Sequence, residues 1–257
     1  MNGLVTVYGN EVAERLEAIQ AFAMAGGLEP AVDIFVEALE KDGIIQAFGT
    51  GHSQSFAMEI AGRAGGLVPT HAMKLEDLVL LGHRPVAALG TPEFERDPTV
   101  ADELYDLYDV RPTDAFIIAS NSGANGSTVG MALRAKREGH PVIAVTSLEH
   151  TRGVTSRHPS GKRLYEVADV VLDNLAPFGD AVVELSDGTT VGAISSITSE
   201  YLAQLLTIEV AARLGETGIV PPLYISANVP VGDEHNNALI TQYGARIQPY
   251  TGSPAGG

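Results

Sequence analysis

Short, almost unbroken apolar runs recur along the chain: IIQAF at 44–48, AFIIA at 115–119, VIAVT at 142–146 and VVL at 170–172. Stretches long enough for helices separate them. Runs of this kind, with no polar alternation, suit strands buried on both faces, and buried parallel strands need helical crossovers. The pattern therefore predicts an α/β fold, a parallel sheet covered on both sides. A further strand is read at 67–70. Helices are expected over 10–25, 29–41, 53–64, 101–108, 127–138 and 194–214. Residues 71–98, with Pro85, Pro92 and Pro98, read as irregular, and Asp187-Gly188 within 181–193 reads as a hairpin or tight loop. No linker or low-complexity block divides the 257 residues. One domain over 1–257 is expected, with N-terminal helices over about 10–41 and a tail rich in Gly, Pro and Asn over about 215–257.

Two strand-to-helix corners share a form. AFGTGHSQS, 47–55, and IASNSGANGST, 118–128, each place glycines and hydroxyls between an apolar strand and a helix. Glycine lets the backbone approach a ligand, and a helix N-terminus offers unpaired N–H groups and a positive dipole end. In an open parallel sheet such corners lie at the carboxyl edge, where ligands bind. One corner alone equally describes an ordinary helix cap; two on separate strands favour an anionic ligand. Other phosphate and nucleophile motifs are missing: there is no G-x-x-x-x-G-K-[ST], GTGHSQS does not complete G-x-G-x-x-G, and G-x-S-x-G is absent.

GTGHS after one strand and SNSGAN after a later one resemble the sugar isomerase (SIS) domain family, over roughly residues 30–215. The resemblance is nearest to stand-alone bacterial phosphosugar-binding proteins of that family. It implies a three-layer α/β/α sandwich with a five-stranded parallel sheet, flavodoxin-like, and a phosphosugar ligand. Family members act as isomerases, as ether-cleaving lyases or as sensor domains. By position, Ser53, Ser120 and Ser122 match the phosphate-binding serines, and Asn125 stands where a threonine is common. Gly51, Ser55 and Asn121 complete the expected substrate-binding set. MEIAGR, 58–63, resembles the A-E-L-T-G-R segment of sedoheptulose-7-phosphate isomerases, whose glutamate is a catalytic acid/base; this makes Glu59 the candidate base. Its alternative is an ion pair with Arg63 at i+4.

Aldose–ketose isomerisation moves protons both at carbon and between oxygens, so a histidine is sought beside the carboxylate. His52 lies in the first corner. His235 lies in a polar cluster, DEHNN at 233–237, where Asp233 equally reads as the cap of a helix over 234–243. His71 and His83 bracket the irregular segment, and His140 reads as structural. His150 and His158 lie in HTRGVTSRHPSGKR, which holds four of the sixteen Lys and Arg residues: Arg152, Arg157, Lys162 and Arg163. That basic loop steers anions or is a solvated surface. The expected function is an aldose–ketose phosphosugar isomerase. A phosphosugar lyase or etherase, and a non-catalytic sensor, are the alternatives.

The net charge of −16 opposes binding to nucleic acid or to an anionic membrane. No apolar run reaches eighteen residues, and MNGLVTVYGNEVAERLEAIQ does not read as a signal peptide, so a cytoplasmic location is expected. The absence of cysteine excludes disulfides and thiolate metal sites; no H-x-x-x-H or H-E-x-x-H pair is present, and neither metal nor cofactor is implied. Helix 194–214 carries apolar residues on more than one face. One sheet covers one stripe, so a second subunit or the tail is expected against the rest. A homodimer or dimer of dimers follows, with His235 of one chain at the cradle of the other.

Overall fold

A computed structural model describes residues 2–247; the last ten residues of the expected tail, 248–257, lie outside the described residues. In chain order the elements are α1 (Asn2–Met24), α2 (Glu29–Glu40), β1 (Ile45–Gly49), α3 (Gln54–Ile60), β2 (Thr70–Met73), α4 (Asp77–Leu80), α5 (Pro92–Arg96), α6 (Val100–Tyr105), β3 (Ala115–Ala119), α7 (Gly126–Arg137), β4 (Val142–Thr146), α8 (Leu148–Arg152), β5 (Val170–Asp173), β6 (Ala181–Glu184), β7 (Thr190–Ala193), α9 (Ser195–Glu216) and α10 (Gly232–Tyr243). Short 3-10 turns occupy Gly51–Ser53, Val86–Gly90, Leu164–Glu166 and Gly244–Arg246.

The first five strands form one parallel sheet in the order β2-β1-β3-β4-β5. Every residue of β1, β3 and β4 is buried. The two faces are read directly from alternate residues. Ala115, Ile117 and Ala119 of β3 join Ile45, Ala47, Ile143 and Val145 under α2, α3 and α9. Phe116 and Ile118 join Phe48, Val142 and Ala144 under α4, α5, α6 and α7. The result is the expected three-layer α/β/α sandwich. The hairpin β6–β7 is antiparallel and separate from the sheet.

Several boundaries depart from expectation for physical reasons. β2 starts at Thr70, because Pro69 has no N–H for a ladder and residues 66–68 pair with the C-terminal segment: Val68 N–H donates to Pro222 O and Tyr224 N–H to Gly66 O. The segment read as irregular holds β2 and two short helices. α3 stops at Ile60, ahead of the glycine-rich RAGG turn. α1 begins eight residues before its expected start and lies along α9 and the hairpin, with Tyr8 Oη donating to Ala193 O at 2.8 Å and Arg15 Nε to Leu175 O at 2.9 Å. It therefore takes part of the apolar surface of α9 that a second subunit or the tail was expected to cover. Ile208 of α9 remains 58% exposed. Among the described residues no single helix is long and apolar enough to cross a membrane.

α10 docks at the amino edge of the sheet. Its Leu239, Ile240 and Tyr243 pack with Ile44, just ahead of β1. Beside them Asp114, fully buried, accepts from Ile44 N–H (3.0 Å), Arg111 N–H (3.1 Å), Gln46 Nε2 (3.0 Å) and Arg246 Nη2 (2.5 Å). A buried carboxylate is tolerated when its lone pairs are met in this way.

Candidate functional site

β1 and β3 are neighbours in the sheet, with Gly49 opposite Ala119. From these last residues the chain leaves in opposite directions. β1 feeds α3 on one face, and β3 feeds α7 on the other. Their carboxyl ends are therefore a topological switch point, the place where an open α/β sheet forms a crevice. Both Ser/Gly corners open into it.

The first corner doubles back tightly. A Cβ on Gly49 would lie 2.3 Å from Ser53 O, so only glycine fits there. Ser53 N–H donates to Thr50 O at 3.2 Å and closes the 3-10 turn. Ser55 Oγ donates to His52 O at 2.8 Å. The Ser53 hydroxyl has no protein partner among the described residues, and His52 is exposed.

In the second corner, Gly123 N–H donates to Ser120 Oγ at 3.1 Å and Ala124 N–H to Ser122 Oγ at 3.4 Å. Both serine hydroxyls act as acceptors there, which leaves their protons for a ligand. Asn121 faces inward: its Oδ1 accepts from Asn174 Nδ2 (3.2 Å), and its carbonyl from Ser147 N–H (3.3 Å). Asn125 is the N-cap residue of α7 but its side chain does not cap the helix; Oδ1 accepts instead from Arg157 Nη1 at 2.7 Å.

The sequence reading missed several groups that the fold brings here. Asn174, just after β5, also donates to Ser199 Oγ of α9 at 3.1 Å, and so ties the second corner to that helix. A narrow cavity lies between Ser53 and Ser55 of the first corner, Asn174, and Ser195, Ser196 and Ser199. The N-termini of α3 and α9 thus converge on it. Asp180 sits on the start of α9, accepting from Ser195 N–H at 2.8 Å and from Ser195 Oγ at 2.8 Å. On the other flank of the first corner is a cleft of about 340 Å³, lined by Thr50, Gly51, Gln54, Glu76, Thr91 and Glu95 among others. Glu95 Oε2 lies 3.4 Å from where a Gly51 Cβ would be, and its backbone carbonyl accepts from Ser127 Oγ of α7 at 2.6 Å. One short helix, α5, therefore touches both corners. The only sequence signal for the polar start of α9 at the crevice was the run SSITS at 195–199; nothing local singled out Glu95, Asn174 or Asp180.

The candidate bases fall in different places. Glu59 lies one turn beyond Ser55, on the seam between α3 and α9. Arg63 ion-pairs with it, and Gln204 Nε2 donates to it at 2.7 Å. The i,i+4 pair with Arg63, the simpler expectation, is thus formed. His235 is not brought to the crevice within one chain: it sits on α10 at the opposite edge of the sheet, with Nε2 2.9 Å from Leu223 O. Among the described residues no group of three His, Cys, Asp or Glu side chains is arranged to hold a metal ion.

Of the loop after β4, Arg157 reaches the second corner, while His150 stacks on Phe178 with ring centroids 5.0 Å apart. Burial pushes the His158 imidazole below its ordinary value. His71, the most strongly shifted histidine, is remote from the crevice on β2, and His140 bridges Tyr105 Oη (2.8 Å) and Asp114 O (2.9 Å) as a structural residue.

Comparison with known proteins bears on this geometry. A family model described as SIS domain matches residues 7–147. A UPF0309 protein of Caldanaerobacter subterraneus subsp. tengcongensis is 34% identical over 249 residues, 95% of this chain and 99% of that one. Another, from Listeria monocytogenes, is 36% identical over 239 residues, 92% of this chain and 94% of its own. Among solved structures, a phosphoheptose isomerase from Francisella tularensis aligns with TM-score 0.52 at 17% identity, covering 80% of this chain and 95% of that one. A phosphoheptose isomerase from Neisseria gonorrhoeae aligns with TM-score 0.51 at 17% identity, covering 82% and 97%.

Proposed function

The chain belongs to the SIS domain family, and from that premise we propose that it binds a phosphorylated sugar in the β1/β3 crevice and interconverts its aldose and ketose forms. One observation carries the reading: two Ser/Gly corners meet at the switch point, Gly49 opposite Ala119, with hydroxyl protons and helix N–H groups left over for an anion. In a chain of net charge −16 such a concentration of donors has no other evident use. The proposed phosphate donors are Ser53, Ser120, Ser122 and the Asn125 amide. Gly51, Ser55 and Asn121 shape the crevice around them. The carboxylates of Glu76 and Glu95 repel phosphate and accept from hydroxyls, so the sugar carbons extend toward the 340 Å³ cleft.

In the proposed chemistry a carboxylate removes the proton on C2 of the open-chain aldose. The electron pair forms a C1=C2 enediol and the carbonyl oxygen gains a proton. The same carboxylate then returns its proton to C1 while the hydroxyl on C2 loses one and becomes the ketone. Glu59 is the proposed base, held in place by Gln204, and His52, at the corner itself, moves the proton between oxygens. His235 has access to a crevice only across a subunit boundary.

A second reading, ligand binding without turnover, is favoured by the pairing of the Glu59 carboxylate with Arg63 and Gln204, which leaves it less free to act as a base. The two are separated by incubating the protein with a panel of sugar phosphates and following thermal shift and exchange of the C2 hydrogen with solvent deuterium. Phosphorylated sugars are expected to raise the melting temperature and their unphosphorylated forms are not. Ser53→Ala combined with Ser122→Ala removes the shift. Glu59→Gln keeps it and abolishes exchange. Stabilisation of the wild type without exchange supports binding alone, and no stabilisation by any sugar phosphate refutes the reading as a whole.

A further inference from the structure

The basic loop after β4 is built to hold one side chain over the second corner. Its two ends are bonded to that corner: Arg157 N–H donates to Ala124 O at 2.8 Å and Leu164 N–H to Gly123 O at 2.8 Å. Between them the loop is fixed internally. Ser156 Oγ donates to Lys162 O (2.6 Å), His158 N–H to Ser156 Oγ (3.1 Å) and Lys162 N–H to Ser160 Oγ (3.2 Å). The His158 ring lies over Gly130 of α7, with Nε2 3.8 Å from where a Cβ would be.

The side chain so placed is, with Arg96 and Arg152, one of three arginines that form no ion pair among the described residues. Most arginines here pair with carboxylates: Arg134 with Asp102 and Asp106, Arg163 with Glu166, Arg213 with Glu29 and Asp33. Arg157 has no carboxylate within ion-pair distance among the described residues. Its Nη1 instead donates to Asn125 Oδ1, the group that would otherwise cap α7. Drawing the Asn125 carbonyl away leaves the first N–H groups of α7 without that cap, beside a guanidinium whose remaining donors are open. In the same turn, Thr128 Oγ1 is fully buried and has no partner; on α8, Thr151 Oγ1, likewise buried and unpartnered, lies 3.0 Å from where a Gly123 Cβ would be. Arg157 is exposed, so an exposed cation stands beside an uncapped helix end, a pairing that suits an anion.

Resting on the phosphosugar reading above, we propose that Arg157 is a ligand-binding residue of the cradle, supplying the positive charge against the phosphate and selecting the phosphomonoester dianion. A guanidinium recognises two phosphate oxygens at once, with stronger bonds than serine hydroxyls make. The second ionisation of a phosphomonoester lies near pH 6, so the charge of the ligand changes within an accessible range.

The test is calorimetric titration of the full chain with inorganic phosphate, and with whichever sugar phosphate stabilises the wild type most, at pH 5.5 and pH 7.5. Arg157→Gln and Arg157→Ala are expected to weaken binding about tenfold or more, and Arg157→Lys by less. The gain in wild-type affinity between the two pH values is expected to shrink in the Gln and Ala variants, which a merely structural loop residue would not cause. Circular dichroism and the melting temperature of each variant show that the loop change has not unfolded the domain, and Gln retains a donor toward Asn125. Wild-type affinity and pH dependence in both variants overturn the assignment of Arg157. A wild type that binds neither phosphate nor any sugar phosphate overturns the phosphosugar reading and the assignment with it.

Discussion

Replacing Gly126 by alanine tests the packing on which the second corner depends. A Cβ there would lie 2.0 Å from Arg96 O, 2.8 Å from Arg96 carbonyl carbon and 3.0 Å from Pro98 N. These are backbone atoms, which have no rotamer to change. To reach an ordinary contact the start of α7 and the segment after α5 must part by about 1.4 Å. The bond from Ser127 Oγ to Glu95 O, now 2.6 Å, then lengthens to about 4 Å and is lost. Overpacking costs about 1–3 kcal/mol and the hydrogen bond about 1 kcal/mol. The better helix propensity of alanine returns about 0.5–1 kcal/mol. The net is a destabilisation of about 2 kcal/mol, or roughly 4–8 °C in melting temperature for a chain of this size. Gly9→Ala is the control. Gly9 lies within α1, exposed, with nothing within 4 Å of its would-be Cβ, so the same change there is expected to stabilise by about 0.5–1 kcal/mol. Urea unfolding followed by circular dichroism measures both. If Gly126→Ala is as stable as the wild type while Gly9→Ala behaves as stated, α5 does not lie against α7, and the placement of Glu95 between the corners is wrong.

Two further outcomes are accessible. Burial, with Lys74 adding to it and Asp114 opposing, pushes the His71 imidazole down to about 4 from an ordinary 6.5; the unfolded chain then binds a proton between those values that the folded chain refuses, so stability is full above pH 6.5 and falls by about 3 kcal/mol as the pH drops to 4. His71→Gln should flatten that part of the stability–pH curve, and an unchanged curve would show that another group governs it. On assembly, Val5 (75% exposed) and Met24 (83% exposed) of α1, with Ile208 of α9, leave apolar surface for a second copy; light scattering at micromolar concentration should give at least a dimer, and mixing inactive Glu59→Gln with inactive His235→Ala chains should restore activity if His235 completes the partner's crevice. A monomer refutes both statements, and a dimer without restored activity refutes the shared site.

What the sequence made legible was local. β3 and β4 fall on the residues that their apolar runs mark, and the two corners lie where glycine and serine interrupt the strand-to-helix passage. β2 was displaced because its neighbours 66–68 are claimed by residues 222–224, a pairing across more than 150 positions that no window of sequence reveals. α1 was foreshortened because NGLVTVYGNE mixes glycine with β-branched residues and lacks helical periodicity; the surface of α9 and the β6–β7 hairpin, rather than propensity, completes it. Helix α9 was read from its apolar stripe, and so the serines at its start went unassigned although they are written plainly in the sequence.

The division between legible and illegible parts has a chemical sense. Phosphate is met by short-range features, glycines, hydroxyls and helix ends, which a motif of a few residues can encode. On the proposed reading, groups that distinguish one phosphosugar from another surround the ligand, and at a switch point they arrive from every neighbouring connection: Glu76 and Glu95 from the passage between β2 and β3, Arg157 from that after β4, Asn174 from that after β5 and the serines of α9 from beyond the hairpin. Asn121 and Asn174 are 53 residues apart, and Glu59 and Gln204 are 145 apart, yet each pair is hydrogen-bonded. The charges contributed by these connections are also sorted in space. The two carboxylates flank the first corner, whereas the unpaired guanidinium lies on the second. Because like charges repel and the crevice joins both corners, a ligand with one anionic end and a neutral hydroxylated chain has a single favourable direction across it. Reversing the sign at Arg157 alone, by Arg157→Glu, would put carboxylates at both ends of the crevice and remove that direction along with the proposed anion site.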